Sequence, residues 1–215
     1  MNEADYSLYL VTDRNLVGTR RLEDCLRQAL DGGVTMVQLR EKDLDTAEFI
    51  EEGRQIKAIC DSYGVPLVIN DSIIVACKVK ARAVHLGQSD LDRSLLAQTG
   101  IPFGVSVTTV KEALEAEALG ASYIGVGAMY ETPTKQDASI VSFETLKEIR
   151  KHVSIPIVTI GGMNEHTIPF CLRCKADGVA VVSAILSHRD IGGRAAQLKE
   201  LIDKEKGQTV SLRSR

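Results

Sequence analysis

Gly64-Val65-Pro66-Leu67-Val68-Ile69-Asn70-Asp71 contains the pattern on which the fold turns. A glycine able to close a helix comes first, a short β-branched run follows, and two polar residues stand where the run stops. The same order recurs along the chain. Strands are expected at Leu8–Val11, Met36–Leu39, Leu67–Ile69, Ala83–Leu86, Phe103–Val107, Tyr123–Val126, Ile157–Ile160 and Val179–Val182. Between them, apolar residues at three- and four-residue spacing predict helices over Glu23–Asp31, Thr46–Tyr63, Lys111–Leu119, Phe143–Lys151 and Arg194–Lys204. In the second of these, Ala47, Ile50, Ile56 and Ile59 are expected to form one buried stripe. Gly100-Ile101-Pro102 repeats the helix-stop and strand-start signal, and Gly32-Gly33 and Gly120 end other helices. Eight strands alternating with helices predict a parallel sheet covered by helices. A single (β/α)₈ TIM barrel fits eight units, with an open doubly wound sheet as the alternative.

The bulk numbers suit this. The chain has 215 residues, 44% of them hydrophobic, and a formal net charge of −3. That length matches one barrel, and the charge argues against a non-specific nucleic-acid or membrane binder, which usually presents a basic face. No apolar run is long enough to span a bilayer. Glu3 and Asp5 interrupt the first residues, so a secretory leader is not expected. Cys25, Cys60, Cys77, Cys171 and Cys174 make an odd count, which suits reduced thiols in a cytoplasmic protein. One barrel domain is expected over residues 1–206, with a loose polar tail from Gly207 to Arg215.

In such a barrel the chemistry gathers at the carboxyl ends of the strands. Gln38 and Arg40 share one side of their strand, and Leu39 faces the helices. A glutamine and an arginine turned into a barrel are costly unless they bind something or pair with an internal carboxylate. Asp71 and Asp90 end neighbouring strands, where paired carboxylates suit Mg²⁺, although aspartate in such places also caps helices. Gly161-Gly162 and Ser183 follow the seventh and eighth strands, where backbone N–H groups of these barrels collect phosphate. Cys171 and Cys174 have redox spacing but no second pair, and they read as packing residues. His85, flanked by apolar residues, reads as structural. His152, His166 and His188 read as solvent-side, and Glu112, Glu115 and Glu117 as a solvated helix face.

Together these segments resemble thiamine phosphate synthase. Tyr9-Leu10-Val11-Thr12-Asp13, Gln38-Leu39-Arg40-Glu41-Lys42, Ile69-Asn70-Asp71, His85-Leu86-Gly87-Gln88 with Asp90, Thr132-Pro133-Thr134-Lys135, Ile160-Gly161-Gly162 and Val181-Val182-Ser183 occur in the family's order. The resemblance implies that hydroxymethylpyrimidine diphosphate loses pyrophosphate to the nitrogen of a thiazole phosphate. It implies that Gln38, Arg40 and Lys42 bind the pyrimidine diphosphate, assisted by Asn70 and Lys135, with Leu39 and Glu41 in the same segment. Ser106 would contact the pyrimidine. Asp71 and Asp90 would hold Mg²⁺. Thr132, Thr134, Gly162, Val182 and Ser183 would hold the thiazole phosphate, with Pro133 among the substrate-binding residues of the same segment. The residues expected to act on the reaction are Arg40, Lys42, Ser106 and Lys135. Departures are Ser72, where the family commonly has arginine, and Ala128-Met129-Tyr130-Glu131, where proline and phenylalanine are usual.

Rival readings on the same scaffold are a thiazole tautomerase-like isomerase, a non-catalytic phosphate-binding regulator and a sugar-phosphate epimerase. The Asp71/Asp90 pair and the Gln38–Lys42 segment weigh against them. No serine–histidine or cysteine–histidine nucleophile is evident. The expected mechanism is a dissociative displacement, with small molecules as partners and a homo-oligomeric assembly compatible with the sequence.

Overall fold

The computed structural model describes residues 4–132 and 139–213. Its strands are β1 Leu8–Val11, β2 Met36–Leu39, β3 Leu67–Asn70, β4 Ala83–Leu86, β5 Phe103–Val107, β6 Tyr123–Val126, β7 Ile157–Thr159 and β8 Gly178–Val181. All neighbours are parallel, and β8 pairs back onto β1 to close the barrel. Helices α1 Arg14–Val17 and α2 Leu22–Asp31 follow β1; α3 Thr46–Ser62 follows β2; α4 Ile73–Val79 follows β3. A 3₁₀ turn at Gln88–Asp90 and α5 Arg93–Thr99 follow β4. Then come α6 Val110–Ala118, α7 Phe143–His152 and α8 Ile168–Arg173, and after β8, α9 Ser183–Leu186 and α10 Ile191–Arg213. The doubly wound alternative is excluded by the closure.

Strand alternation sorts the side chains into two cores. Leu8, Leu10, Val37, Leu39, Ile69, Val84 and Val105 face outward and pack against the helices. Tyr9, Val11, Met36, Val68, Ala83, Tyr123, Val158 and Ala180 fill the barrel. Burying each Leu or Ile of the outer shell contributes roughly 1.5–3 kcal/mol. The hydrophobic shell therefore holds the strands, and inward positions near their carboxyl ends are left for polar residues.

Some boundaries differ from expectation. β8 starts at Gly178, one residue earlier than its β-branched run. A Cβ there would lie 1.7 Å from the Tyr6 carbonyl oxygen, so only glycine fits, and glycine reads poorly as strand. On α3 the buried stripe is Phe49, Gly53, Ile56, Ile59 and Cys60, and Ala47 is exposed. Ile56 and Ile59 hold their expected places and Ile50 packs partly buried against the core, with Phe49 in place of Ala47. Helix α10 runs to Arg213, past the expected start of a loose end at Gly207. Lys206 Nζ donates to Ser7 Oγ at 2.7 Å, which ties this helix to the start of β1.

Candidate active site

A cavity of about 560 Å³ opens at the carboxyl ends of the strands. Gln38, Arg40, Asn70, Asp71, Asp90, Ser106, Thr132, Gly162, Val182 and Ser183 all line it. Leu39 does not: it is fully buried between strand and helices. Glu41 accepts from Arg14 Nε at 3.1 Å and Nη2 at 3.2 Å, and is held beneath Arg14. Lys42 is exposed on the β2–α3 loop, outside the cavity lining. Pro133, Thr134 and Lys135 lie outside the described residues.

At one end of the cavity stand a cation and two carboxylates. The Arg40 N–H donates to Thr12 Oγ1 at 2.9 Å, and its Nη1 lies 3.7 Å from Asp13 Oδ2. Asp13 is itself committed to capping α1. Asp71 and Asp90 cap nothing: Ser72 Oγ accepts from Val75 N to cap α4, and Asp92 caps α5. Ser72 occupies the N-cap of α4, so Asp71 has no part in closing that helix. Asp71 takes a left-handed backbone, φ 61°, and accepts from Asn70 Nδ2 at 2.6 Å. Burial, and next the charge of Asp90, push its carboxyl above the ordinary value; the hydrogen bond from Asn70 and the charge of Arg40 oppose them. Two mutually repelling carboxylates in a cleft fit a hard divalent cation. Mg²⁺ commonly takes one or two carboxylates and completes its shell with water and phosphate oxygens. Among the described residues no group of three or more His, Cys, Asp or Glu is placed to hold a metal.

At the other end the wall is backbone. Gly161 and Gly162 have φ of 95° and 63°. A Cβ on Gly162 would sit 2.7 Å from the Tyr130 Cβ. Among the described residues, no acceptor meets the N–H of Gly162 or of Ser183. Unpaired N–H groups in a cavity wall are suited to an anion.

The floor holds residues that sequence reasoning missed. Gln38 Nε2 donates to Tyr9 Oη, which bonds Tyr123 Oη; Tyr123 Oη bonds His85 Nδ1, and His85 Nε2 bonds Ser106 Oγ. A serine–histidine pair therefore does stand in the cavity, at 2.9 Å. Val84 and Leu86 face the helices, whereas His85 shares the parity of Ala83 and points inward, so this structural residue also lines the cavity. Gly104 makes room for this chain, since a Cβ there would lie 2.2 Å from the Tyr123 ring. Gln88 Nε2 donates to Ser106 O at 2.7 Å and steadies the end of β5. Two of the three glutamates read as solvated carry structure. Glu112 accepts from the Thr108 and Thr109 N–H groups in a capping box, and Glu117 from Ser154 and Ile155.

Burial brings the His85 imidazole down to about 4 from 6.5, so it is neutral across the physiological range. Two results are expected. The pH profile of turnover shows no imidazole break near neutrality. Stability falls as pH drops from 6.5 toward 4, because the unfolded chain binds a proton that the folded one refuses. Thermal melts against pH check this, with His85→Gln expected to flatten the slope in that window. An unchanged slope in the variant would refute it.

Comparison with known proteins identifies relatives of the whole chain. Residues 8–185 match the family model described as thiamine monophosphate synthase. The thiamine-phosphate synthase of Clostridium acetobutylicum is 45% identical over 208 residues, covering 95% of this chain and 98% of that protein. Its counterpart in Clostridium beijerinckii is 47% identical, covering 91% and 95%. The solved thiamine phosphate pyrophosphorylase of Pyrococcus furiosus superposes with a TM-score of 0.87 at 32% identity, covering 94% and 98%.

Proposed function

The chain belongs to the thiamine monophosphate synthase family, and we propose that its cavity joins hydroxymethylpyrimidine diphosphate to hydroxyethylthiazole phosphate, giving thiamine monophosphate and pyrophosphate. The observation that carries this reading is the lining of one cavity: Arg40, Asp71 and Asp90 following β2, β3 and β4, and Gly162 and Ser183, whose N–H groups meet no acceptor among the described residues, following β7 and β8. Two anionic substrates that react with each other call for such an arrangement.

In this reading Asp71 and Asp90 hold Mg²⁺, which when bound neutralises charge on the diphosphate. Arg40 meets the diphosphate from the cavity side. Lys42 and Lys135 join it on the strength of the family resemblance. Gln38, Asn70 and Ser106 receive the pyrimidine. Thr132, Pro133, Thr134, Gly162, Val182 and Ser183 receive the thiazole phosphate, Gly162 and Val182 through backbone. The two substrates are held so that the thiazole nitrogen faces the pyrimidine carbon that loses pyrophosphate. The barrel of residues 1–206 is the catalytic unit, acting on small molecules in the cytoplasm. Among the described residues no helix is long and apolar enough to cross a membrane.

Turnover with both substrates, with and without Mg²⁺, tests the reading. Thiamine monophosphate and pyrophosphate are expected only when all three are present. Isomerisation of the thiazole alone, or binding without turnover, would overturn it in favour of the isomerase or regulator.

The two anion sites are separable. Ser183→Ala and Gly162→Ala are expected to raise KM for the thiazole phosphate about tenfold, the scale of one or two charge-assisted hydrogen bonds. KM for the pyrimidine diphosphate should change much less. Gly162→Ala acts through the positive φ and the Tyr130 contact. An effect confined to the diphosphate substrate would show that the two sites are reversed.

A further inference from the structure

The hydrogen-bond chain under the cavity has a direction. Gln38 Nε2 lies 2.9 Å from Tyr9 Oη. An amide nitrogen donates, so the Tyr9 oxygen accepts from it. The single Tyr9 hydrogen then goes to Tyr123 Oη, 2.9 Å away. Tyr123, having accepted, gives its own hydrogen to His85 Nδ1, also at 2.9 Å. Nδ1 is then the lone-pair nitrogen, and the imidazole hydrogen sits on Nε2, facing Ser106 Oγ at 2.9 Å. The serine oxygen accepts it, and the serine hydrogen is turned toward the cavity. Run the other way, the chain would leave the hydroxyl hydrogen of the buried Tyr9 without an acceptor, which buried polar groups avoid.

Resting on the reading of the cavity as a pyrimidine and thiazole phosphate site, we propose that Tyr9 is a positioning residue. Through Tyr123 it holds His85 as the Nε2–H tautomer, and so makes Ser106 a hydrogen-bond donor to a ring nitrogen of the aminopyrimidine. Ring nitrogens of that heterocycle accept and its amino group donates. The order of the chain therefore decides which of them Ser106 can meet. It also bars Ser106 from acting as a nucleophile through His85, because Nε2 already carries its proton and cannot take another from the hydroxyl. The depressed proton affinity of His85 agrees with a ring kept neutral.

Nitrogen-15 NMR of histidine-labelled protein tests this, with His85 identified among the four histidines by its loss in His85→Gln. Wild type should show a protonated Nε2 and an unprotonated Nδ1. Tyr9→Phe should release the order and mix the tautomers. In the same variant KM for the pyrimidine diphosphate should rise about 3- to 10-fold, the effect of one hydrogen bond, with kcat and the thiazole phosphate KM little changed. Adding Ser106→Ala to Tyr9→Phe should cost little more than Ser106→Ala alone. Tyr123→Phe, which breaks the next link and keeps the ring, should mix the tautomers too and serves if Tyr9→Phe does not fold. A wild-type hydrogen on Nδ1, an unmoved tautomer in both variants, or an equal rise in both Michaelis constants would overturn the proposal. The spectrum needs no substrate, so a chain that fails to turn over would sink the functional reading and leave the hydrogen-bond order to be judged by NMR.

Discussion

Asp71→Ala is expected to lower turnover by roughly 10³-fold or more, since it removes half of the carboxylate pair proposed to hold Mg²⁺, and a bound metal ion stabilises developing charge by several kcal/mol. The fold should survive. Asp71 caps no helix, because Ser72 does, and the residue is exposed at the rim of the barrel. Its backbone is left-handed, so alanine adds a local cost of about 1–2 kcal/mol. Asparagine tolerates that conformation as aspartate does, which makes Asp71→Asn the cleaner variant. It keeps the shape, loses the charge and relieves the repulsion from Asp90 that helps raise the Asp71 carboxyl. Its melting temperature at neutral pH should equal or exceed that of wild type, while turnover collapses. Titration of activity against Mg²⁺, alongside melting curves, decides the matter. Full activity in excess chelator, or an Asp71→Asn enzyme near wild-type rates, would rule out the metal assignment.

The elements easiest to read were those whose two faces carry different chemistry. β1, β2, β4, β5 and β6 were bounded correctly because each short, mainly apolar run is bracketed by polar, glycine or proline residues. Asp71, Asp90 and Arg40 were legible as cavity-lining residues because a charge at a strand end has few explanations in a barrel. Tyr9, His85 and Tyr123 were not, since a tyrosine or histidine inside a strand looks like core. Only the parity of each strand, joined to that of its neighbours across the closed sheet, shows that the three meet. Glu112 and Glu117 failed for a related reason. Their helical spacing suits a solvated face, and their acceptor role depends on loops that the helix pattern does not describe. Helix α3 shows the limit of periodicity alone: Ile56 and Ile59 are buried as expected and Ile50 packs against the core, whereas Ala47 is exposed and Phe49 completes the stripe.

An electron-withdrawing substituent on the pyrimidine is expected to slow the chemical step by about 10³-fold, a transition-state penalty of roughly 4 kcal/mol. Binding should be nearly unchanged. The thiazole nitrogen attacks with a lone pair and has no proton to lose, so no general base is required. His85 is neutral, bonded at both nitrogens and deep in the floor, and it stands ready to bind rather than to shuttle protons. In the proposed reading, charge for the leaving group comes from Arg40 and a polar frame for the ring from Gln38 and Ser106, all of which line the cavity. Such a site speeds a reaction whose barrier lies in the departure of pyrophosphate. Departure leaves positive charge on the pyrimidine, and the ring's amino group spreads it. A withdrawing group opposes that spread and leaves the contacts to diphosphate intact. Single-turnover rates with a series of substituted pyrimidine diphosphates measure the effect apart from binding and product release. A steep negative dependence on substituent is the dissociative result. If the rates scarcely move across the series, bond breaking does not lead, and a concerted attack by the thiazole nitrogen takes its place.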